Sequence, residues 1–338
     1  MTSSVSSPHL TDPKLARIVF LGTKDFAVPA FETLCDQGRN VVALVTQPDK
    51  PQGRKQEIVA TRIRMAAESR GIPVLQPESI NTDAGREALE SLRPDVLVTV
   101  AYGQILKPFI LAVAPFGGVN LHGSLLPKFR GAAPVARAIE NGETETGVTV
   151  ICMSPQVDAG GMLAFRSTPI GPEDTALSLE ARLALIGAPL LAESLDEYLT
   201  GRTKPIQQDS KAATKAPKLA KTEAGIDWNS QAFFVDRFIR AMNPWPLART
   251  CFEPADGRPK STVLILDSRL GPEPAPAGAQ PGQLVEVSKS RLLIACGDGG
   301  TIAPRMIQTE GRKPLPAIEW ARGARATAGD LFRTIPVS

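Results

Sequence analysis

Several kinds of site are missing from this 338-residue sequence. It has two histidines, His9 and His122, and four cysteines. Cys35, Cys152, Cys251 and Cys296 lie far apart with no CxxC pair, so no metal is expected. They read as buried free thiols of a reducing, cytoplasmic setting, not as disulfide partners. No apolar run approaches the roughly 20 residues of a membrane span. The polar, Ser/Thr-rich start, residues 1–13, lacks the basic and apolar regions of a signal peptide and reads as a loose tail. Gly22-Thr-Lys-Asp-Phe26 follows a strand-like run without the GxGxxG pattern of dinucleotide sites. Neither a GxxxxGK[ST] loop nor a GxSxG elbow is present.

Hydrophobic residues make up 43% and charged residues 22%, which permits a sizeable core, and the length suits two domains. The net charge of +3 is unevenly spread. From Lys204 onward there are 19 basic and 13 acidic residues, a net of +6; the preceding part holds 19 and 22, a net of −3. A polyanionic partner for the second half and a merely basic solvated surface both fit this asymmetry.

In the first half, short apolar runs (17–22, 41–46, 72–75, 95–101, 118–121) alternate with helical patterns (26–36, 61–70, 83–92, 133–141). Runs that are apolar throughout mark strands covered on both faces, so the spacing predicts an α/β fold with a doubly wound, mostly parallel sheet. Strands at 146–153 and 162–170 and a long helix over 175–199 complete this domain, 14–203. The polar, basic stretch 204–217 reads as a linker. The remainder, 218–338, shows a helix near 231–242, a loop at 271–282, and short β-like runs at 261–266, 283–287, 291–295 and 301–307. That pattern predicts a small β-barrel. There is no internal repeat.

In an open α/β sheet, sites form beyond the carboxyl ends of the strands. There lies Val119-Asn-Leu-His-Gly-Ser-Leu-Leu-Pro-Lys-Phe-Arg-Gly131, with the only histidine suited to catalysis. Strand alternation puts Asn120 and His122 on one face, where an amide donor and an imidazole can grip a carbonyl oxygen. A lone histidine at a strand end is often merely hydrogen-bonded; the Asn-x-His pair and its loop favour chemistry. Asp158 sits in a glycine-rich turn, Pro155-Gln-Val-Asp-Ala-Gly-Gly161, where an aspartate taken singly reads as structural.

The stretch Gly118–Pro134, with Glu145-Thr-Gly-Val-Thr149 and Val157-Asp-Ala-Gly160, resembles the core of the 10-formyltetrahydrofolate-dependent formyltransferases. Ile18–Thr23, Thr46–Pro51, Val100-Ala-Tyr-Gly103, Ile226-Asp-Trp228 and Asn243-Pro-Trp-Pro246 extend the resemblance, in order, along nearly the whole chain past the tail. The resemblance implies a Rossmann-like catalytic domain followed by an oligonucleotide-binding-type (OB-like) barrel that binds tRNA. It implies transfer of a formyl group from 10-formyltetrahydrofolate, the co-substrate, to the amino group of initiator methionyl-tRNA, the partner. Asn120, His122 and Asp158 match the catalytic set, and Ser124, Leu125, Leu126 and Pro127 match the folate-holding segment. Lys50, Arg54 and Lys55 match a basic loop that grips the acceptor end, here shorter and less lysine-rich than is usual. The same motif also serves amino-sugar-nucleotide formyltransferases and formyltetrahydrofolate hydrolases. A non-catalytic RNA-binding protein using the barrel alone is the alternative from another class. A monomer is expected.

Overall fold

The apolar runs of the first half pair edge to edge. In the computed structural model, which describes residues 9–52 and 57–335, they are β1 (Ile18–Gly22), β2 (Val41–Val45), β5 (Val74–Leu75), β6 (Val96–Val100), β7 (Gly118–His122), β8 (Glu145–Cys152) and β9 (Met162–Pro169). Two short strands, β3 (Pro51–Gln52) and β4 (Glu57–Ile58), pair apart from this sheet. The order across the sheet is β5-β2-β1-β6-β7-β8-β9. The first five of these run parallel, and β8 and β9 are antiparallel to their neighbours. Strand order therefore reverses direction between β1 and β6, the arrangement that opens a crevice at the carboxyl edge.

Both β1 and β6 are buried at every position. Alternate side chains of β1 enter two cores. Val19 and Leu21 join Val45, Leu97, Tyr102 and Ile110. On the other face Phe20 meets Phe31 edge-on, ring centroids 5.4 Å apart. Phe31 lies on α1 (Val28–Asp36), which is followed by α2 (Arg62–Glu68), α3 (Asp83–Ser91), α4 (Pro108–Leu111), α5 (Pro134–Asn141) and α6 (Ala176–Leu199). Thr61 and Thr82 begin α2 and α3 by accepting the backbone N–H of Arg64 and Gly85. The predicted α/β class and mostly parallel sheet are as expected.

The chain divides into two compact units: residues up to 132 with 145–169 and 180–216, and residues 133–144 and 170–179 with 217 onward. The stretch expected as a linker is thus part of the first unit up to residue 216. Ile206 and Met162 exchange both backbone hydrogen bonds at 2.8 Å, and Ala216 N–H donates to Arg130 O at 2.7 Å. From His9 the start of the chain is likewise docked, Leu10 N–H donating to Leu199 O at 2.9 Å.

The second unit contains α7 (Ala232–Ala241), β10 (Ala248–Glu253), β11 (Ser261–Leu270), β12 (Leu284–Val287), β13 (Leu292–Ala295), β14 (Thr301–Thr309), β15 (Leu315–Pro316), α8 (Ala317–Ala324) and β16 (Leu331–Arg333). Its antiparallel order is β12-β13-β14-β11-β10-β16, with β15 on β14. The ends meet: Leu284 N–H donates to Asp330 O at 2.8 Å and Phe332 N–H to Gly282 O at 2.7 Å. The result is a nearly closed, OB-like barrel that leaves little free edge. Its core gathers Trp228, Phe252, Trp320 and Phe332. The two indole N–H groups are satisfied by Thr250 and Thr309.

Candidate active site

β7 positions the first two residues of interest. Parallel to it lies β6, with Thr99 opposite Asn120; antiparallel lies β8, with Thr149 opposite His122. Leu121 points to the other face, where Gly187 of α6 leaves it room: a Cβ there would stand 2.7 Å from Leu121 Cδ2. Packing on that side holds the strand while Asn120 and His122 share the opposite one.

His122 is buried, 6% exposed. Its Nε2 lies 2.9 Å from the carbonyl oxygen of Phe129. A carbonyl only accepts, so Nε2 carries a proton and donates. The other nitrogen, Nδ1, faces Asp158 Oδ2 at 3.5 Å. With a proton on Nδ1 this is an imidazolium facing a carboxylate; without one, two lone pairs oppose. Asp158 Oδ2 also accepts the backbone N–H of Gly131 at 2.9 Å.

Asp158 adopts a left-handed backbone, φ +51°, which aspartate tolerates better than most side chains. The turn closes tightly after it. A Cβ on Gly160 would fall 1.7 Å from Cys152 O, so only glycine fits. Asn120 is half-buried, and its Oδ1 accepts from the Thr99 hydroxyl at 2.9 Å. That bond leaves the Nδ2 amide hydrogens as the donors the residue can offer.

The 124–127 segment is held from beneath. The buried Ser124 hydroxyl donates to Lys128 O at 2.7 Å, so it is already spent. Thr149 Oγ1 donates to Ser124 O at 2.7 Å and accepts from Leu126 N–H at 3.1 Å. Leu126 is buried, while Leu125 and Pro127 are half-buried. What this segment can offer a ligand is backbone and apolar surface, not the serine hydroxyl.

Sequence reasoning missed a layer behind these residues. Gln208, 5% exposed, lies within the stretch read as a linker. Its Nε2 donates to Asp158 O at 2.9 Å and Gly160 O at 2.7 Å, and its Oε1 accepts from Arg130 at 2.7 and 3.0 Å. Thr214 Oγ1 accepts from Phe129 N–H at 2.8 Å. Periodicity could not find these residues, because their signal is hydrogen bonding in an irregular segment.

The basic loop is only partly visible. Lys50 is exposed, and Arg54 and Lys55 lie outside the described residues. The base of the loop is clamped: Arg64 pairs with Asp49, and Gln76 Nε2 donates to Gln47 O at 3.1 Å and Asp49 Oδ1 at 3.2 Å. Among the described residues no three His, Cys, Asp or Glu side chains gather where they could hold a metal ion. The four cysteines are free. Burial raises Cys35 and Cys152 to about 11 and Cys296 to about 12, far from nucleophilic use. No helix among the described residues is long and apolar enough to cross a membrane.

Known proteins resemble this chain in sequence and in fold. Residues 16–195 match the formyl transferase family model, and residues 218–325 match that of the formyl transferase C-terminal domain. The chain is 43% identical over 315 residues to the methionyl-tRNA formyltransferase of Roseiflexus castenholzii, covering 93% of this chain and 98% of that protein. It is 39% identical to that of Hydrogenovibrio crunogenus, with the same coverage. Among solved structures, the sugar 3N-formyl transferase WlaRD superposes with a TM-score of 0.64 at 18% identity, over 88% of this chain and 99% of that one. HypX from Aquifex aeolicus, in complex with tetrahydrofolic acid, gives 0.61 at 18% identity over 93% of this chain and 48% of that one. These two establish the fold alone. Two family models in order and relatives aligned almost end to end settle the assignment: the chain is an enzyme of the formyl transferase family, related to its methionyl-tRNA formyltransferases.

Proposed function

We propose that this enzyme transfers the formyl group of 10-formyltetrahydrofolate to the free amino group of initiator methionyl-tRNA, giving formylmethionyl-tRNA for translation initiation in the cytoplasm. The observation that carries the reading is the His122–Asp158 pair beside Asn120 at the carboxyl edge of the sheet. The acceptor is taken from relatives 39–43% identical over 93% of the chain, all named for methionyl-tRNA. In this reading 14–203 is the catalytic domain, with 204–216 packed onto it, and 218–338 binds tRNA.

The chemistry follows from the residues in place. The neutral amine of the methionyl ester attacks the formyl carbon, whose oxygen takes up negative charge. Asn120 Oδ1 is taken by Thr99, so its Nδ2 is the group that donates to that oxyanion. His122 Nε2 is committed to Phe129 O, so Nδ1 is the nitrogen that exchanges protons with the reaction. As the bond from the formyl carbon to the folate nitrogen breaks, the proton lost by the attacking amine passes through Nδ1 to that nitrogen, and the Asp158 carboxylate, 3.5 Å away, balances the positive charge on the ring meanwhile. No covalent enzyme intermediate is required. Ser124–Pro127 supply backbone and apolar surface to the folate, and Lys50, Arg54 and Lys55 meet the acceptor end.

The test is formylation of methionyl-tRNA by purified protein with and without 10-formyltetrahydrofolate. An amino-sugar nucleotide is offered in parallel, and formate release is followed without acceptor. Preferential formylation of an amino sugar, or formate release at the full rate without acceptor, would overturn the assignment.

A further inference from the structure

Segment 208–216 holds the backbone behind both members of the proposed His122–Asp158 pair. On one side, Thr214 and Ala216 hold the loop that holds His122. Phe129 N–H donates to Thr214 Oγ1 at 2.8 Å, Arg130 N–H to Thr214 O at 2.9 Å, and Ala216 N–H to Arg130 O at 2.7 Å. Phe129 O is the acceptor that fixes the His122 ring. On the other side, Gln208 grips the Asp158 turn through two backbone carbonyls, Asp158 O and Gly160 O. Its Oε1 takes both Nε and an Nη of Arg130, so a single amide bridges the two loops.

Every polar function of that amide is used, and the residue is buried. Few side chains can replace it. Both carbonyls need N–H donors and the guanidinium needs an acceptor, which a primary amide supplies together. The left-handed turn at Asp158 has little else from this segment to fix its carbonyls. Gly131 N–H reaches the carboxylate itself, and Gly131 is the neighbour of Arg130. The Asp158 carboxylate and the His122 ring are thus referenced to one strip of chain.

We infer that Gln208 is a positioning residue that sets the His122–Asp158 separation by tying the Asp158 turn to the Arg130 loop. The inference rests on the proposed roles of His122 and Asp158. Gln208 touches neither side chain and acts through the backbone that carries them. Groups referenced this way lose rate when their geometry loosens, while binding elsewhere is unaffected.

The test uses the full chain with Gln208→Glu, which keeps an acceptor for Arg130 but loses both donated bonds, and Gln208→Met, which loses both arms at similar size. Folding is checked by thermal unfolding. Both variants should lower kcat roughly 10- to 100-fold while KM for each substrate stays within about threefold. Combining Gln208→Glu with Asp158→Asn should cost little beyond Asp158→Asn alone, as for residues acting as a unit. The chain has only His9 and His122, so imidazole-¹⁵N-labelled protein gives two ring systems, separable by a His9→Gln variant. In Gln208→Met the His122 signals should move and those of His9 should not.

Wild-type turnover in folded variants would overturn the inference. So would unchanged His122 signals, or rate reductions that multiply with Asp158→Asn. If Asp158→Asn alone turns over like wild type, the catalytic reading falls and takes the inference with it. An active-site reading that survives beside an indifferent Gln208 isolates the failure to this residue.

Discussion

Replacing Asn120 separates catalysis from folding, because the two costs are unequal. Its amide is the oxyanion donor in the proposed reaction, and removing one such donor typically raises the barrier by about 2.7–4 kcal/mol, or 10²- to 10³-fold in turnover. The structural cost of Asn120→Ala is smaller. The Thr99 hydroxyl gives up an acceptor at 2.9 Å, but Val119 O at 3.4 Å and Met153 Sδ at 3.2 Å remain within reach. A hydrogen bond exchanged in this way costs about 1 kcal/mol, or roughly 2–4 °C in a domain of this size. Asn120→Asp reverses the ranking. It keeps an acceptor for Thr99 yet puts a carboxylate where the oxyanion forms, so it should be the more stable variant and the less active. Both are measured by single-turnover formylation at saturating 10-formyltetrahydrofolate, with melting curves alongside. Turnover within tenfold of wild type in folded Asn120→Ala, or an Asp variant more active than the Ala variant, would refute the oxyanion role.

Three further outcomes are expected. Asp158→Asn combined with His122→Ala should be hardly slower than His122→Ala alone, since the carboxylate acts through the ring; single-turnover rates of the three variants decide it. Alkaline solution should destabilise the protein. Cys35, Cys152 and Cys296 are held protonated well above 9, and burial raises Tyr102 to about 12. Groups raised in the folded state stabilise it fully below their unfolded values, and that stability drains away as pH rises toward 11–12, so melting temperature should fall from about pH 9 upward. Replacing Lys211, Lys215, Lys218 and Lys221 by Gln should weaken methionyl-tRNA binding and flatten its dependence on salt by about 0.7–0.9 for each phosphate no longer neutralised. A binding titration across a salt series that leaves the slope unchanged would show that these lysines meet no phosphate.

The sheet was legible because strands covered on both faces leave uninterrupted apolar runs, and β1 and β6 are buried at every position. Long helices were legible through periodicity: the expected helix 175–199 is Ala176–Leu199 and 83–92 is Asp83–Ser91. What escaped notice was short or locally ambiguous. β10 alternates buried and half-buried along Ala248–Glu253, yet it follows Asn243-Pro-Trp-Pro246 closely and was not separated from that turn. α8 is eight residues with no side-chain cap, and β16 is three residues paired only through distant partners. Asn120 and His122 stood out through their spacing. Asp158 could be joined to them only by resemblance, because it reaches His122 across 36 residues of chain. Gln208 left no trace at all. A buried amide in a polar stretch looks like solvent-facing linker until the carbonyls it caps are known.

Charge counting met the same limit from the other side. The net +6 from Lys204 onward does not say which cations are already answered by acids. Arg240 pairs with Asp236, both buried, and Arg249, Arg258, Lys260, Arg269, Arg291, Arg305 and Arg333 each have a carboxylate within 4 Å. Arg237 is tucked against Gly142 at the carboxyl end of α5 and lies over the Phe233 and Phe234 rings, 4.6 and 4.9 Å from their centroids. These side chains hold the second unit together, and drawing them to a phosphate would cost the pairs they make. By contrast Lys204, Lys211, Lys215, Lys218 and Lys221 are exposed and make no ion pair among the described residues. Asp209 is the only acid between the first and last of them, and its carboxylate caps the backbone N–H of Lys211. Counterion release depends on cations free to meet phosphate, not on the sum over a domain. The positive charge free to meet a polyanion therefore lies in 204–221 and also at Lys289, Arg312, Lys313, Arg322 and Arg325, which are likewise exposed and make no ion pair among the described residues. The first-unit part of 204–221, through Gln208, Thr214 and Ala216, also braces the proposed active site, so replacing its lysines must be checked for an effect on turnover as well as on binding.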